Sequence, residues 1–463
     1  MAQSAPTELG TRKISTLLRQ YAVPGIIAMT ASSLYNMVDS IFIGHIPEVG
    51  SYAISGLAVT FPLMNLSTAL GTLVGVGAAT MISVLLGQKR YEDANTVLAN
   101  EVTLNTIVGI LFAVVCLLFL DPILTFFGAS ENTLPFARDY MQILLLGNVF
   151  THLYFGLNSV IRSSGNPKLA MGLTLFTVIS NAILDPIFIY VLGMGIRGAA
   201  LATILCQMMA LGYTMWYFLD PKRFLHLRRK KIFALDWEIA KDSLAIGMGP
   251  FLMNAASCIV TLFINQQLRK YGGDLSIGAY GIVNRVSFMF VMVVMGLNQG
   301  MQPIAGYNFG ARQYSRVKQV YIQTALWATA AMTLGFVFSF LLPRATVSIF
   351  TSDPALEDLA AGGLRKMNCI FPIIGFQMVA TNLFQCLGMV RKSIFLSLTR
   401  QLLFLVPMLY ILPLKLGVDS VWYSYPISDL LASITTFIFL VDLFRKFSRL
   451  RDGDDPSILG SLV

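Results

Sequence analysis

Charged residues are scarce in this chain. Only 12% of its 463 residues are Asp, Glu, Lys or Arg, about half of the share that is usual in soluble domains, while 56% are hydrophobic. This balance excludes a soluble globular protein. A membrane-spanning helix needs about 20 apolar residues, so the chain has room for about a dozen spans and no separate soluble domain. The composition predicts an all-α polytopic membrane protein.

The residues of metal and enzyme sites are equally sparse. The sequence contains no Gly-x-x-x-x-Gly-Lys phosphate loop, and its three histidines suggest neither a zinc site nor a catalytic triad. The five cysteines lie in apolar segments, without a metal-like spacing or a disulfide framework: Cys116, Cys206, Cys258, Cys369 and Cys386. We therefore expect no enzyme, no cofactor and no metal site other than one for a coupling ion.

The net charge of +9 does not indicate nucleic-acid binding, because Lys and Arg are scattered among short loops between apolar runs. Twelve spans place both termini on one side of the membrane, and that side carries most of the positive charge. By the positive-inside rule it is the cytoplasmic side. The apolar run that follows the polar N-terminus has no signal-peptide cleavage pattern, so it is expected to remain as the first span.

Apolar runs bounded by charge, Gly or Pro predict the twelve helices. They lie near 17–43, 51–86, 95–120, 135–161, 168–192, 198–219, 243–268, 276–309, 319–342, 356–388, 393–413 and 418–444. We expect an N-terminal six-helix lobe at 1–220, a basic cytoplasmic linker at 221–242, and a C-terminal six-helix lobe at 243–463 that ends in a short cytoplasmic tail.

The two halves also resemble each other in sequence. The second predicted helix is followed by Gly87-Gln88-Lys89-Arg90-Tyr91, and the eighth by Gly310-Ala311-Arg312-Gln313-Tyr314. Other matches keep a similar offset, of about 220–225 residues, as an internal repeat does. Six spans per half give both halves the same orientation, so a pseudo-twofold axis along the membrane normal should relate the two bundles. This is a recurrent transporter design, with the substrate site near the middle of the membrane.

One aspartate lies in the middle of the first apolar helix. A polar stripe runs along this apolar helix, because its polar residues are spaced at i, i+3, i+4 and i+7: Ser32, Tyr35, Asn36 and Asp39. Inserting Asp39 into a bilayer costs about 2.5–3.5 kcal/mol on insertion scales, so it is a functional candidate. The alternative is a structural carboxylate that neighbouring helices satisfy.

Asp185 in the fifth helix is a second candidate, one turn after Asn181 and directly before Pro186. Polar residues of other helices in this half could converge with these on one cavity. We predict ion coupling by Asp39, Asp185, Asn181 and Thr203, with Tyr35, Asn36, Tyr140, Asn158 and Gln207 lining the cavity. Pro24 is expected to bend the first helix. The residues leave open whether Asp39 and Asp185 bind H⁺ or Na⁺.

The second half contains amides where the first has acids. Its mid-span carboxylate, Asp429, is expected to form a structural ion pair with Arg400 of the adjoining helix. Amide side chains on the seventh, eighth and tenth predicted helices suit neutral or cationic substrates that are held by modest hydrogen bonding.

Several motifs in order resemble the multidrug and toxic compound extrusion (MATE) family. They are Tyr35-Asn36-Met37-Val38-Asp39-Ser40-Ile41-Phe42-Ile43-Gly44, the Gly-Gln-Lys-Arg-Tyr turn, Arg162-Ser163-Ser164-Gly165-Asn166-Pro167-Lys168 and the repeat. Asp39 with Asp185 and Asn181 further resembles the DinF-type prokaryotic branch. That resemblance implies ion coupling by carboxylates of the N-terminal lobe, joined by Tyr140, Asn158 and Thr203. The acidic residues that bind the cation in the seventh and tenth helices of the NorM-type branch are replaced here by amides.

The expected function is therefore a cation-coupled antiporter, with H⁺ favoured, that exports small organic cations or amphipathic drugs by alternating access. The alternatives are a lipid-linked or polysaccharide-precursor flippase of the same superfamily, and a non-transporting membrane enzyme or receptor. We expect a monomer in contact with membrane lipid and not with nucleic acid. The expected location is the prokaryotic inner membrane, with both termini in the cytoplasm.

Overall fold

The computed structural model describes residues 6–228, 230–350 and 352–459, and these form helices and connecting turns without a β-strand. Ten helices among them are long and apolar enough to cross a membrane, and two further helix pairs pass the same test together. The prediction of a twelve-helix membrane protein is confirmed.

The first half contributes six elements, named α1 to α6. They are α1 Ile14–Gly44, α2 Gly50–Gly87, α3 Tyr91–Leu118, α4 with segments Leu134–Leu146 and Asn148–Ser163, α5 Pro167–Pro186 with its π-helical continuation Ile187–Val191, and α6 Ile196–Leu219.

The second half contributes α7 to α12. They are α7 Trp237–Leu268, α8 Leu275–Gly310, α9 Tyr314–Leu341, α10 with segments Pro354–Met367 and Phe371–Cys386, α11 with Val390–Leu398, the π-helical Thr399–Leu405 and Val406–Ile411, and α12 Asp419–Arg449. A glycine in the left-handed region, Gly273 with φ of 71°, interrupts the helical backbone between α7 and α8.

Two predicted helices are bent in the structure. The continuous helices expected at 135–161 and 356–388 are α4 and α10, whose segments meet at 58° and 56°. In α4 the bend lies at Gly147, where a Cβ atom would come within 2.5 Å of the Ile204 side chain on α6. The close approach of α6 therefore requires glycine at the bend.

The internal repeat is visible in local geometry. Lys89 and Arg312, which occupy the same place in the two Gly-x-basic-x-Tyr turns, both have positive φ, of 62° and 57°. This conformation is uncommon for residues other than glycine, so its recurrence at matched positions is specific. Each half also contains one bent helix and one π-helical segment.

Contacts between α-carbons divide the chain into two compact units. Among the described residues, the first unit contains 6–11 and Ile27–Phe251, and the second contains Arg12–Ile26 and the part from Leu252 to Leu459. The start of α1 thus belongs to the second unit, and the start of α7 to the first. The lobe boundaries expected from the repeat remain a prediction.

Candidate functional site

The end of α5 positions Asp185 inside the first unit. The helix starts after Asn166, whose side chain accepts a hydrogen bond from the Leu169 amide, and continues through Pro186 into a π-helical turn. Proline has no amide hydrogen, and π-helical turns occur frequently at functional sites. Asp185 is completely buried directly before this irregular turn.

Asp39 of α1 and Asp185 of α5 lie within hydrogen-bonding reach of each other. Asp39 is only 6% exposed, and its Oδ1 atom has no hydrogen-bond partner. Among the described residues, no Lys or Arg forms an ion pair with either carboxylate. Two carboxylates at such close range do not both ionise unless a metal cation lies between them, and without one the pair keeps a proton.

Asn181, one turn before Asp185, connects α5 to α1 and α6. With its amide nitrogen toward Asp185, it donates to Oδ2 at 2.8 Å and to the Tyr35 hydroxyl at 3.1 Å. Its oxygen then accepts from the hydroxyl of Thr203 at 3.2 Å and from the amide of Thr203 at 3.0 Å. One side chain therefore connects the carboxylate pair to two neighbouring helices.

Two tyrosines complete this cluster. The Tyr35 hydroxyl lies 3.0 Å from Thr203 Oγ1. Both Tyr35 and Tyr140 lie near the carboxylates of Asp39 and Asp185. Tyr140 is buried in the first segment of α4. The structure thus brings together Asp39, Asp185, Asn181, Thr203, Tyr35 and Tyr140, while their role in ion coupling remains a prediction.

A second polar contact continues from this cluster along α6. Gln207, one turn after Thr203, accepts a hydrogen bond from Thr151 of α4 at 2.5 Å. On the next turn of α4, the Tyr154 hydroxyl lies 3.2 Å from Thr177 Oγ1 of α5. These two hydrogen-bonding contacts connect α4 to α6 and α4 to α5.

Two further predicted residues, Asn158 and Asn36, lie outside the cluster. Asn158 donates to the Ala170 carbonyl at 3.0 Å and accepts from Arg162 at 3.2 Å, beyond the bend of α4 from Tyr140. Asn36 is exposed, and α1 continues as a helix through Pro24. The bend at Gly147 separates Tyr140 and Asn158, which a straight helix would place on one face.

The sequence analysis missed a buried acid, Glu101 in α3. It is 1% exposed, its Oε1 atom accepts from Asn105 Nδ2 at 2.6 Å, and its Oε2 atom has no hydrogen-bond partner. Gly156 of α4 packs directly against this carboxyl group. The available signal was the i, i+4 spacing of Glu101 and Asn105, which places both on one helix face.

His152 of α4 contacts a hydrogen-bonded pair, Ser67 and Asn148. Its Nε2 atom lies 3.1 Å from Ser67 Oγ of α2, which donates to Asn148 Oδ1 at 2.6 Å. Asn148 in turn donates to the Gly109 carbonyl of α3 at 3.1 Å. This histidine packs helices α2, α3 and α4 through hydrogen bonds.

The buried acid of the second unit has a fixed cationic partner. Arg400 Nε lies 2.5 Å from Asp429 Oδ1, and the side chains of Arg400 and Asp429 are 27% and 5% exposed. Nearby, the hydroxyls of Tyr280 and Tyr425 are 2.6 Å apart. Among the described residues, no three His, Cys, Asp or Glu side chains are grouped as a metal site would require.

Up to twelve apolar spans, with a buried carboxylate pair among them, are features of secondary transporters. The comparisons with known proteins identify the family. The MatE family model matches residues 24–187 and 245–411, which is well over half of the chain. The chain therefore belongs to the MATE family, whose members are membrane transporters and not enzymes.

Individual relatives agree with this assignment. Multidrug export protein MepA of Staphylococcus haemolyticus (strain JCSC1435) is 29% identical over 437 residues, 93% of this chain and 94% of that protein. MepA of Staphylococcus aureus (strain N315) is 27% identical over 423 residues, 91% and 92% of the two chains. The outward-facing structure of a multidrug resistance MATE family transporter has the same fold, with a TM-score of 0.90 at 23% identity, covering 97% of this chain and 100% of that one.

Proposed function

We propose that this transporter is a cation-coupled antiporter, with H⁺ favoured over Na⁺, that exports organic, often cationic and amphipathic compounds. The observation that carries the proposal is the Asp39–Asp185 pair, which is buried without an ion-paired Lys or Arg among the described residues. MepA, a multidrug export protein in both staphylococcal relatives, supports drug-like compounds as the exported class.

Repulsion between the two carboxylates makes the preferred arrangement of the pair depend on whether a cation is bound, while the ion gradient supplies the energy. Unit charges 4 Å apart interact by about 4 kcal/mol at an effective dielectric constant of 20. Reversing a two-state equilibrium from 1:99 to 99:1 needs about 5.5 kcal/mol, so gain or loss of one cation provides a large part of that shift. We propose that the empty and the cation-bound pair favour different arrangements of α1 and α5, which alternate access between lobes 1–220 and 243–463.

The unpaired Oδ1 atom of Asp39 supports H⁺ as the coupling ion. A proton shared between the carboxylates needs no further ligand. Because Asp39 Oδ1 is without a partner, the pair retains one oxygen that can accept a proton.

The proposed location is the prokaryotic cytoplasmic membrane, with both termini and the 221–242 linker in the cytoplasm. The uneven distribution of Lys and Arg over the loops supports this orientation. Reporter fusions at the C-terminus that are active only in the cytoplasm test it, and a reporter active only outside the cell would reverse it.

Reconstituted vesicles test the coupling. The wild-type protein should drive efflux of a fluorescent organic cation under an imposed pH gradient, and more weakly or not at all under a Na⁺ gradient alone. Asp39→Asn should reduce pH-driven efflux to the level of empty vesicles, because the pair can no longer exchange a proton. The matched control is Asp121→Asn, which removes a half-exposed carboxylate of the same unit that pairs with Arg138.

Two results would contradict the proposal. Undiminished pH-driven efflux by a folded Asp39→Asn protein would remove Asp39 from the coupling mechanism. Efflux under a Na⁺ gradient at constant pH, with none under a pH gradient, would assign Na⁺ as the coupling ion.

A further inference from the structure

The segment that joins α6 to α7 is held against α3 by hydrogen bonds, and we call its described residues 226–228 and 230–237 the linker strap. Buried side chains of α3 bond to its backbone: Asn95 accepts from the His226 amide at 2.9 Å, and Asn100 donates to the Asp236 carbonyl at 3.0 Å. Thr103 Oγ1 accepts from the Phe233 amide at 3.1 Å. The strap is therefore a built part of the first unit.

Its attachment points all lie in the first half of α3. Arg228 pairs with Glu92 at 2.7 Å, and Lys231 donates to Thr96 at 2.9 Å, while Phe233 is bound at Thr103. With a rise of 1.5 Å per residue, the three α3 partners lie about 2 Å, about 8 Å and about 18 Å from the start of the helix. The two cations are thus nearest the helix end, and the aromatic residue lies farther along it.

The length of α3 locates these levels relative to a bilayer. Its 28 residues span about 42 Å, whereas the hydrocarbon core is about 30 Å thick. The end opposite the strap is apolar and exposed, at Leu118 for instance, so the excess of about 12 Å falls at the strap end. Lys231 then lies on the aqueous side of the boundary and Phe233 at its hydrocarbon side.

The strap directs its aromatic side chains outward. Phe233 is 78% exposed and Trp237 65% exposed, whereas Leu225 and Leu227 just before them are buried. Phe233 has a φ of 75°, a conformation that is costly for a bulky residue. The segment maintains this strained backbone while leaving the phenyl ring without a protein environment, which points to a ligand outside the chain.

We propose that the linker strap binds anionic phospholipid at the membrane surface. Lys230 and Arg228, both exposed, hold the phosphate groups, with Arg228 keeping its contact to Glu92 through one side of its guanidinium group, while Phe233 and Trp237 enter between the acyl chains. The cations lie at the level of the anionic headgroup, and the aromatic rings lie at the boundary where the acyl chains begin. The proposal does not depend on ion coupling, and the proposed orientation decides only that the lipid belongs to the cytoplasmic leaflet.

Lipid binding by the purified full-length protein tests the charged part. Phosphatidylglycerol bound to the detergent-solubilised transporter is titrated by native mass spectrometry, with phosphatidylcholine as the neutral reference. Arg228→Gln with Lys230→Gln should weaken phosphatidylglycerol binding by about 30-fold, as expected for two basic residues near an anionic surface. Arg445→Gln with Arg449→Gln removes the same charge from exposed positions at the end of α12 and should leave this binding unchanged.

The substitution Phe233→Gly separates lipid binding from folding. Glycine relieves the positive φ, so this variant should unfold at the same temperature as wild type or higher, yet bind phosphatidylglycerol more weakly. Unchanged binding in both strap variants, or an equal loss in the α12 control, would overturn the proposal. Displacement of the lipid by inorganic phosphate alone would do the same, because it would indicate a site for free phosphate.

Discussion

Asp185 in the first half and Asp429 in the second are both buried aspartates of membrane helices, but their charges are balanced differently. Asp429 is held by Arg400 at 2.5 Å, whereas Asp185 faces a second carboxylate, that of Asp39. The surrounding scaffold repeats, with helix bends of 58° and 56° and left-handed turns at Lys89 and Arg312. The repeated fold therefore does not determine the chemistry of each half.

This difference assigns separate roles to the two acids. A carboxylate that is paired with arginine has no need of an exchangeable ion, so we predict a structural role for Asp429. A pair of carboxylates requires a proton or another cation to be stable in a buried site, and that ion can be exchanged. Substitutions in the second half should consequently lower the stability of the protein, whereas substitutions at the carboxylate pair should change transport without lowering stability.

The largest effect on stability is expected for Arg400→Gln. Leaving Asp429 buried without its partner should lower the free energy of unfolding by about 3–5 kcal/mol, measured by denaturant unfolding in mixed micelles. Replacing both residues, as Arg400→Met with Asp429→Leu, should recover most of the lost stability. By contrast, Asp39→Asn removes a like charge and should not destabilise the protein. If Asp39→Asn lowered the free energy of unfolding as much as Arg400→Gln does, the two aspartates would not differ in their roles.

A smaller effect is expected at the glycines in the second segments of α4 and α10. A Cβ atom at Gly375 would lie 2.8 Å from the backbone of Ala328, which cannot move aside, so Gly375→Ala should cost about 1–3 kcal/mol. At Gly156 the Cβ would meet the side chains of Glu101 and Asn105, which can shift. Gly156→Ala should therefore lower the unfolding temperature less than Gly375→Ala, and the reverse order would contradict this packing account.

The smallest effect on stability is expected for two tyrosine hydroxyls. Tyr35→Phe removes the contact with Thr203, and Tyr425→Phe the one with Tyr280; each should cost about 0.5–1.5 kcal/mol. Only Tyr35→Phe should also slow pH-driven efflux, since Asn181 donates to this hydroxyl beside the carboxylate pair. Equal slowing by both variants would mean that transport responds to stability alone.

Much of the fold was predictable because membrane spans are long and apolar. The i, i+4 spacing of Asn181 and Asp185 and the polar stripe of α1 indicated the residues that the structure brings together. The bend at Gly147 was not predicted, since glycine is also tolerated in straight membrane helices. Asn158 would lie about 27 Å along the axis from Tyr140 even in a straight helix, and the bend also changes the direction that it faces.

The buried state of Glu101 was also beyond sequence reasoning. It lies eleven residues into α3, counted from the start at Tyr91, where a charged residue could equally face water at the end of a long helix. Its burial results from packing against Gly156, which is distant in sequence. The partners of His152 were missed for the same reason, because Ser67 belongs to another helix.

The central claim is that the Asp39–Asp185 pair exchanges a cation for substrate. Protons released when an organic cation is added to the purified, weakly buffered protein measure this exchange with a pH-sensitive dye. We predict proton release by the wild type and by Asp121→Asn, and none by Asp39→Asn or Asp185→Asn. Release of the same number of protons by a folded, substrate-binding Asp39→Asn protein would contradict the account.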